Sequence, residues 1–501
     1  MFHFSLLKSN FKMLIFSWGL NMLNQTKTDE IVANKKRRFL FLMGLVLAFS
    51  SSLYLLTLMK QSSFALHSDV LSHEKSVIFQ IGPEVLVSNN LDGGALRCEP
   101  SAVISSDAIV IAWNDSYGGI HGAEAGVAIG WAISKNGGKT YQFGGYLSKE
   151  QKDYPPDGAD SWLMADGEGN FYLQLLRWHK EINEIQIYYM DHNHLGKWKR
   201  MTDAQVSDSS KGDPSLDKPA MFVDDSGRIG IIYTEMYRGQ GNSISFLLSN
   251  DKGRSWSKPL QISPPEEKVK TGASISISGS LIVVAWIEGG AMNLDEVWYA
   301  ISQDGGISFS APNMVYKLKE SLKPPSGYSL GVGPAAFISN NVWLACRKNE
   351  KVHLTFYLTC VEGANKGSRI LLFTLKSGEK TWSKPIRVGN SPDKAVKVFP
   401  SLAMAGSRPA ILYYDRRNNP HTSLTDVYLS VLVEELYFRD AKINTVSTDW
   451  TKAPGDKKYA PIQRNFGDYI TLASHDHLFV ATWTDARSGA SRIYARTIQV
   501  H

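Results

Sequence analysis

Ser302-Gln303-Asp304-Gly305-Gly306-Ile307-Ser308-Phe309, followed by Ser310-Ala311-Pro312, is the stretch that decides the fold. Asp and paired glycines suit a tight hairpin turn: Gly accepts positive φ, and an Asp side chain bonds nearby backbone N–H groups. The Ser and aromatic that follow open a new strand. One copy would be only a hairpin, but the pattern recurs. Ser249-Asn250-Asp251-Lys252-Gly253-Arg254-Ser255-Trp256 matches it position for position, and Ser134-Lys135-Asn136-Gly137-Gly138-Lys139-Thr140-Tyr141 matches with Asn for Asp. Around Thr381-Trp382-Ser383-Lys384-Pro385 the tail survives and the turn has decayed. Repeats at this period indicate a propeller or solenoid.

Working outward, about seven similar units follow one another with no linker. Each has an apolar stretch, a Gly/Asp/Asn turn, and an alternating strand that ends in an aromatic and often an acid. These second strands are read at 108–115, 170–177, 228–235, 281–288, 341–347, 409–415 and 478–485. A third strand and the Ser-x-Asp turn into a fourth complete the unit. Four antiparallel strands repeated radially make an all-β propeller. The last unit ends at His501 after three strands, while Pro83-Glu84-Val85-Leu86-Val87 precedes the first. Pairing these two would close the ring and remove its exposed edges.

The octets resemble the Asp-box, or BNR repeat, of the sialidase superfamily. That resemblance implies a β-propeller, normally of six blades, against the seven counted here; six remains open because the fifth unit is irregular. The box is a structural turn, so it speaks for fold more than activity.

The N-terminal part reads differently. Lys35-Lys36-Arg37-Arg38 precedes an uncharged, mostly apolar run from Phe39 to Met59, roughly long enough to cross a ~30 Å hydrocarbon core as a helix. The chain therefore divides into a basic cytoplasmic leader (1–38), a transmembrane or signal-anchor helix (39–59), a linker (60–79) and a propeller (80–501). The positive-inside rule places the propeller outside the cytoplasm. Cleavage after Ser63-Phe64-Ala65 is the alternative, and would release a secreted domain.

Of 54 Lys/Arg and 48 Asp/Glu, eight basic and two acidic residues fall in residues 1–65. Residues 1–65 thus hold the whole +6 excess, and the propeller is balanced, which removes nucleic acid as a partner. Cys98, Cys346 and Cys360 show no metal-ligand spacing; Cys346 and Cys360 either pair or are buried free thiols. No cofactor is expected, and oligomeric state is not legible.

Topology puts the two-to-three loops and blade crossings on the face opposite the Ser-x-Asp turns, and loops on a rigid scaffold are where sites are built. That face gathers Asp115, Glu235, Glu288 and Arg417 from the loops. Arg97, Glu99, Asp160, Asp217, Lys218, Asp468 and Tyr469 come from the crossings, nearest the axis. Carried over from the sialidase resemblance, Arg97, Arg347 and Arg417 would grip a substrate carboxylate. Asp115 would be the acid/base, Glu235 or Glu288 the activating Glu, and Tyr469 the nucleophile. The family's Arg-Ile-Pro is here Arg97-Cys98-Glu99-Pro100, one residue longer. In a period-two strand that shift turns the side chain over, which puts Glu99 where the arginine should be. An acid there repels a sialic acid carboxylate. Asp415/Arg417 and Asp485/Arg487 repeat one aromatic-x-Asp-x-Arg spacing in two units, which reads as loop bracing. Two functions stay open: an exo-sialidase-type hydrolase, or a propeller that binds glycans or proteins at the cell surface without catalysis.

Overall fold

The computed structural model describes residues 77–88, 96–116, 127–147, 158–290, 293–321, 341–347, 354–364, 367–434, 436–453 and 467–501. The leader, the expected membrane segment at 39–59 and nearly all of the linker lie outside them. Among the described residues no helix is long and apolar enough to cross a membrane.

Val77 to His501 form one unit of seven antiparallel sheets. Each sheet is a blade, numbered here from its innermost strand. Those strands are Arg97–Ile104 (blade 1), Gly158–Ala165 (blade 2), Ser215–Val223 (blade 3), Val269–Ser278 (blade 4), Trp343–Arg347 (blade 5), Lys397–Ala405 (blade 6) and Thr471–His475 (blade 7). Consecutive strands pair outward from each of these. Phe79–Leu86 supplies the fourth strand of blade 7, antiparallel to Arg492–Val500, with Phe79 opposite Val500 and Leu86 opposite Tyr494. The ring is thus closed by the first described strand on the last, as the sequence pattern required.

The strands form because their residues fit between sheets. Leu281–Gly290 is β-branched and aromatic and is buried along nearly its whole length, since a blade is covered on both faces. Apolar clusters fill the gaps between neighbouring blades: Leu173 and Trp131 join blades 2 and 1, and Val480 and Ile111 join blades 7 and 1. Polar ties reinforce three gaps near the axis. The Leu163, Leu344 and Leu472 N–H groups donate to Ser101, Ser274 and Ser401 Oγ at 2.7, 3.0 and 2.9 Å.

The repeated turns explain their own sequence. Ser249 Oγ and Ser255 N–H both donate to Asp251 Oδ1 at 2.9 Å, and Gly253 N–H donates to Ser249 Oγ at 2.9 Å. The Asp304 turn repeats this with Ser302, Gly306 and Ser308. Asn136 Oδ1 takes the Asp role, accepting from Ser134 Oγ and Thr140 N–H.

Blade 5 departs from the expected phase. Residues 341–347, read as a second strand, contain the innermost one, and Thr355–Ala364 is the second. The stretch lacks the aromatic-x-acid ending that most of the other second strands have, and the shift moves Arg347 to the far end of an innermost strand. The three cysteines are free, with Cys346 and Cys360 on adjacent strands and Cys346 opposite Phe356.

Candidate functional site

Five innermost strands share one irregularity. The ladder skips between Cys98 and Ser101, Ala159 and Trp162, Asp217 and Ala220, Thr271 and Ser274, and Val398 and Ser401. At each bulge one residue is left-handed: Glu99 (φ 56°), Asp160 (53°), Lys218 (48°), Gly272 (61°) and Phe399 (54°). The serine ties fix the equivalent positions in the other blades, because the donor leucine lies three residues beyond the bulge residue. That rule gives Asn341 in blade 5 and Tyr469 in blade 7. One residue per blade therefore lines the start of the axis. Bulges re-aim side chains, and a non-glycine in this region costs of order 1–3 kcal/mol. Four such positions are an outlay that packing alone does not explain.

The charged members meet. Lys218 Nζ pairs with the Asp468 carboxylate and lies 4.0 Å from Asp160 Oδ1. Glu99 Oε1 accepts from Asp468 N–H at 2.9 Å, and Oε2 accepts from Asn114 Nδ2 at 2.6 Å. Gly467, at φ +83°, packs on Glu99, and a Cβ there would lie 2.6 Å from Glu99 Cγ. Asn341 Nδ2 donates to the Asp468 carbonyl at 3.3 Å.

Burial pushes the Glu99 carboxyl well up; Lys218 opposes this, while Asp468 and Asp160 add to it. Burial thus works against ionisation of Glu99. Burial raises Asp217 to about 6, opposed by Lys218 and reinforced by Asp160 and Asp468. For the Lys218 ammonium, burial alone would lower the pKa, but Asp160, Asp468, Glu99 and Asp217 more than reverse it.

Beside the cluster the axis is walled by aromatics. Trp162 and Trp343 stack at 4.9 Å with 24° between their planes, and Tyr469 stands 6.2 Å from Trp162. A cleft bordered by Asp160, Lys218, Asn341 and these three rings opens on the crossing side. The same two indoles also border a channel of about 530 Å³, whose walls include Met164, Phe222, Cys346, Met404 and His475.

Of the residues expected at the site, Glu99, Asp160 and Tyr469 come together here. The Tyr469 hydroxyl donates to the Ser161 carbonyl at 3.1 Å, and burial first, then Glu99 and Asp160, pushes it well up. Nucleophilic activation requires the opposite.

The other expected residues brace blades. Arg97 Nε donates to Asp115 Oδ2 at 3.0 Å, fully buried within blade 1, and Trp113 Nε1 donates to the same oxygen. Glu235 accepts from Tyr233, Tyr237, Ser243 and Ser245. Glu288 accepts from Trp286 and Lys268. Arg417 is held by Asp415, Asp440 and Tyr413. Arg347 bonds Tyr357. The three expected arginines therefore do not converge.

One rule covers most of these acids: the aromatic two residues earlier donates into the carboxylate, in Trp113/Asp115, Tyr233/Glu235, Trp286/Glu288 and Trp483/Asp485. Repetition of aromatic-x-acid across units is the signal that could have marked them all as structural; in the sequence alone it is read so only for the Asp415 and Asp485 pairs. Sequence reasoning missed Asn114, Trp162, Asn341 and Trp343. The bulge motif Glu99-Pro100-Ser101, recurring as Lys218-Pro219-Ala220 and Phe399-Pro400-Ser401, could have located the ring.

No family model and no curated protein matches the chain. Among solved structures it is similar to an ulvan lyase, a polysaccharide lyase bound to GlcA(1-4)Rha3S (10% identity over 82% of this chain and 95% of that one, TM-score 0.49). It is also similar to a mutant α-L-arabinofuranosidase from Fusarium graminearum in complex with an iminosugar inhibitor (11%, 84% and 98%, 0.45). A third is an intramolecular trans-sialidase from Ruminococcus gnavus (13%, 82% and 95%, 0.37). At these scores the likeness adds nothing to what the chain's own strands show.

Proposed function

We propose that the axial cleft recognises a carbohydrate, on a propeller carried outside the cytoplasm, and that it excludes sialic acid and other anionic sugars. The observation that carries this is the ring of left-handed bulge residues. It brings Asp160 and Lys218 together in a cleft they share with the stacked Trp162 and Trp343. Indoles offer flat apolar area to a sugar ring while the carboxylates and Asn341 accept or donate to its hydroxyls, the mixture expected of a small-molecule cleft. Asp160, Asp217 and Asp468 outnumber the single Lys218 ammonium, so an anionic ligand meets net repulsion in a partly desolvated cleft. The basic run Lys35–Arg38 supports the placement outside the cytoplasm.

A second reading is glycoside hydrolysis at the same place. Glu99, whose carboxyl burial pushes well up, lies beside Asp160 and has the character of a general acid paired with a carboxylate. Both Glu99 oxygens are already occupied by Asp468 N–H and Asn114, which favours recognition over turnover.

The test is a panel of neutral, amine-bearing and sialylated oligosaccharides presented to the full-length chain, with aryl glycosides assayed in parallel. Binding to uncharged or cationic sugars without sialoside turnover is expected. Sialoside binding or hydrolysis would overturn the proposal, and release of an aryl group from a neutral glycoside would select the second reading.

A further inference from the structure

We infer that the propeller docks on a lipid bilayer through an apolar patch at the rim of blades 6 and 7, on the side of the Asp251 and Asp304 turns. The axial cleft, on the opposite side, then faces away from the membrane. This rests on the reading of the propeller as carried outside the cytoplasm behind a membrane segment, and adds to it a surface and an orientation.

Three strongly exposed apolar side chains gather at this rim: Ile78 (58%), Leu436 (75%) and Tyr437 (50%). Ile78 immediately precedes the strand Phe79–Leu86, and Phe79 lies opposite Val500 at the turn-side end of blade 7. Leu436 and Tyr437 stand where Leu424–Glu434 gives way to Tyr437–Lys442, the third and fourth strands of blade 6. The two outer strands run side by side. Arg439 donates to the Val77 carbonyl at 2.9 Å at the turn-side end, and Thr445 N–H donates to Glu84 Oε2 at 2.7 Å at the other. Tyr437 and Arg439 are two residues apart and so share a strand face, which turns Tyr437 toward the strand that Ile78 leads into. Val77, Phe438 and Val500 belong to one buried apolar cluster, so the exposed trio stands on a packed base. Ile307, 79% exposed, projects from the Asp304 turn on the same side. Single exposed apolar residues are ordinary, whereas a group of them at one rim marks a contact surface.

Where the chain enters the propeller names the occupant. Seventy-six residues precede Val77, and the uncharged run Phe39–Met59 ends seventeen residues before it. Seventeen residues reach at most about 60 Å, and the point they tie to a bilayer is the rim that carries Ile78. The residue types suit that partner. Ile and Leu enter the acyl boundary, and a Tyr ring sits at headgroup level with its hydroxyl in water. Arg439, exposed beside them, brings a cation to the level of the lipid phosphates. Three apolar side chains alone would hold a free domain only weakly. A tether makes the contact intramolecular and raises its effective concentration.

The full-length chain, reconstituted in phosphatidylcholine vesicles that contain a doxyl-labelled quencher lipid, tests this with a fluorophore on Leu436→Cys. The comparison is the same fluorophore on Val446→Cys, 53% exposed in the crossing from blade 6 to blade 7. The native chain treated alike sets the background from Cys346, since Cys98 and Cys360 are buried. Quenching at position 436 should exceed that at 446 by about threefold or more. Adding Ile78→Ser and Tyr437→Ser should abolish the difference without lowering the melting temperature. Equal or stronger quenching at 446 overturns the docking and the orientation. Quenching at neither position, in a chain that floats with the vesicles, overturns the docking and leaves the membrane placement standing. A chain that does not float with them overturns both. Fluorescence loss at 436 that follows protein density and not the quencher lipid would assign the patch to a second copy of the chain, and would overturn the lipid.

Discussion

Replacing Lys218 with methionine keeps the aliphatic stem and removes the one ammonium from the axial cluster. Lys218, Asp160 and Asp468 side chains are 19%, 10% and 15% exposed, so the charges left behind are largely cut off from water. Breaking a buried pair by removing one partner costs about 3–5 kcal/mol. The residual exposure argues for the lower end, about 3 kcal/mol at neutral pH. The pH dependence has a definite sign. In the native protein the Lys218 pKa is raised, so its contribution is fully present at pH 7 and is lost only in strong base. Without it, the Glu99 and Asp217 carboxyls, which Lys218 holds down against burial, are pushed further up. The deficit is then full where those carboxyls would be ionised and fades as they protonate on going down toward pH 4. Urea unfolding of Lys218→Met and the native chain, at about pH 7.5 and pH 4.5, measures this directly. A loss below about 1 kcal/mol at the higher pH, or the same loss at both, would refute the idea that these groups form one desolvated network.

Asp217 has a folded pKa of about 6 against about 3.9 unfolded, so its ionisation opposes folding. Asp217→Asn should stabilise the propeller by about 3 kcal/mol above pH 6, with the gain shrinking to nothing as pH falls below about 4; a gain independent of pH would contradict this. Arg97→Ala leaves the Asp115 carboxyl without its counter-charge in the interior of blade 1 and should cost about 3–5 kcal/mol in a thermal melt. Unchanged stability would show that Arg97 is not the brace described here. Asp251→Ala removes the acceptor for Ser249, Ser255 and Arg254 groups and should cost about 1 kcal/mol with no change in glycan affinity. A binding defect without lost stability would mean that the turn face, not the crossing face, carries the site.

What was legible in the sequence followed from repetition. Seven second strands and a spare strand at Pro83–Val87 were enough to count the blades and close the ring, because period and edge pairing are local properties. Glu99, Asp160, Asp217, Lys218, Asp468 and Tyr469 were placed near the axis by topology alone. Phase failed in blade 5, where Trp343–Arg347 has the apolar content of either inner strand and no acid to mark its end. Role failed for Asp115, Glu235 and Glu288. An acid beside a loop reads as chemistry until the donor two residues before it is recognised, and that contact depends on side-chain rotamer. The Trp162–Trp343 stack joins blades far apart in the chain, and no local pattern announces such a contact.

The central claim is that the axial cluster is where a sugar binds, and titration of one uncharged or amine-bearing oligosaccharide into the native chain and Asp160→Asn tests it most directly. Asp160 faces the cleft at a left-handed bulge and should tolerate the isosteric amide. The account predicts that affinity falls at least tenfold, about 1.4 kcal/mol, with the melting temperature little changed. Unaltered affinity in a folded Asp160→Asn protein would place the sugar elsewhere and contradict the account.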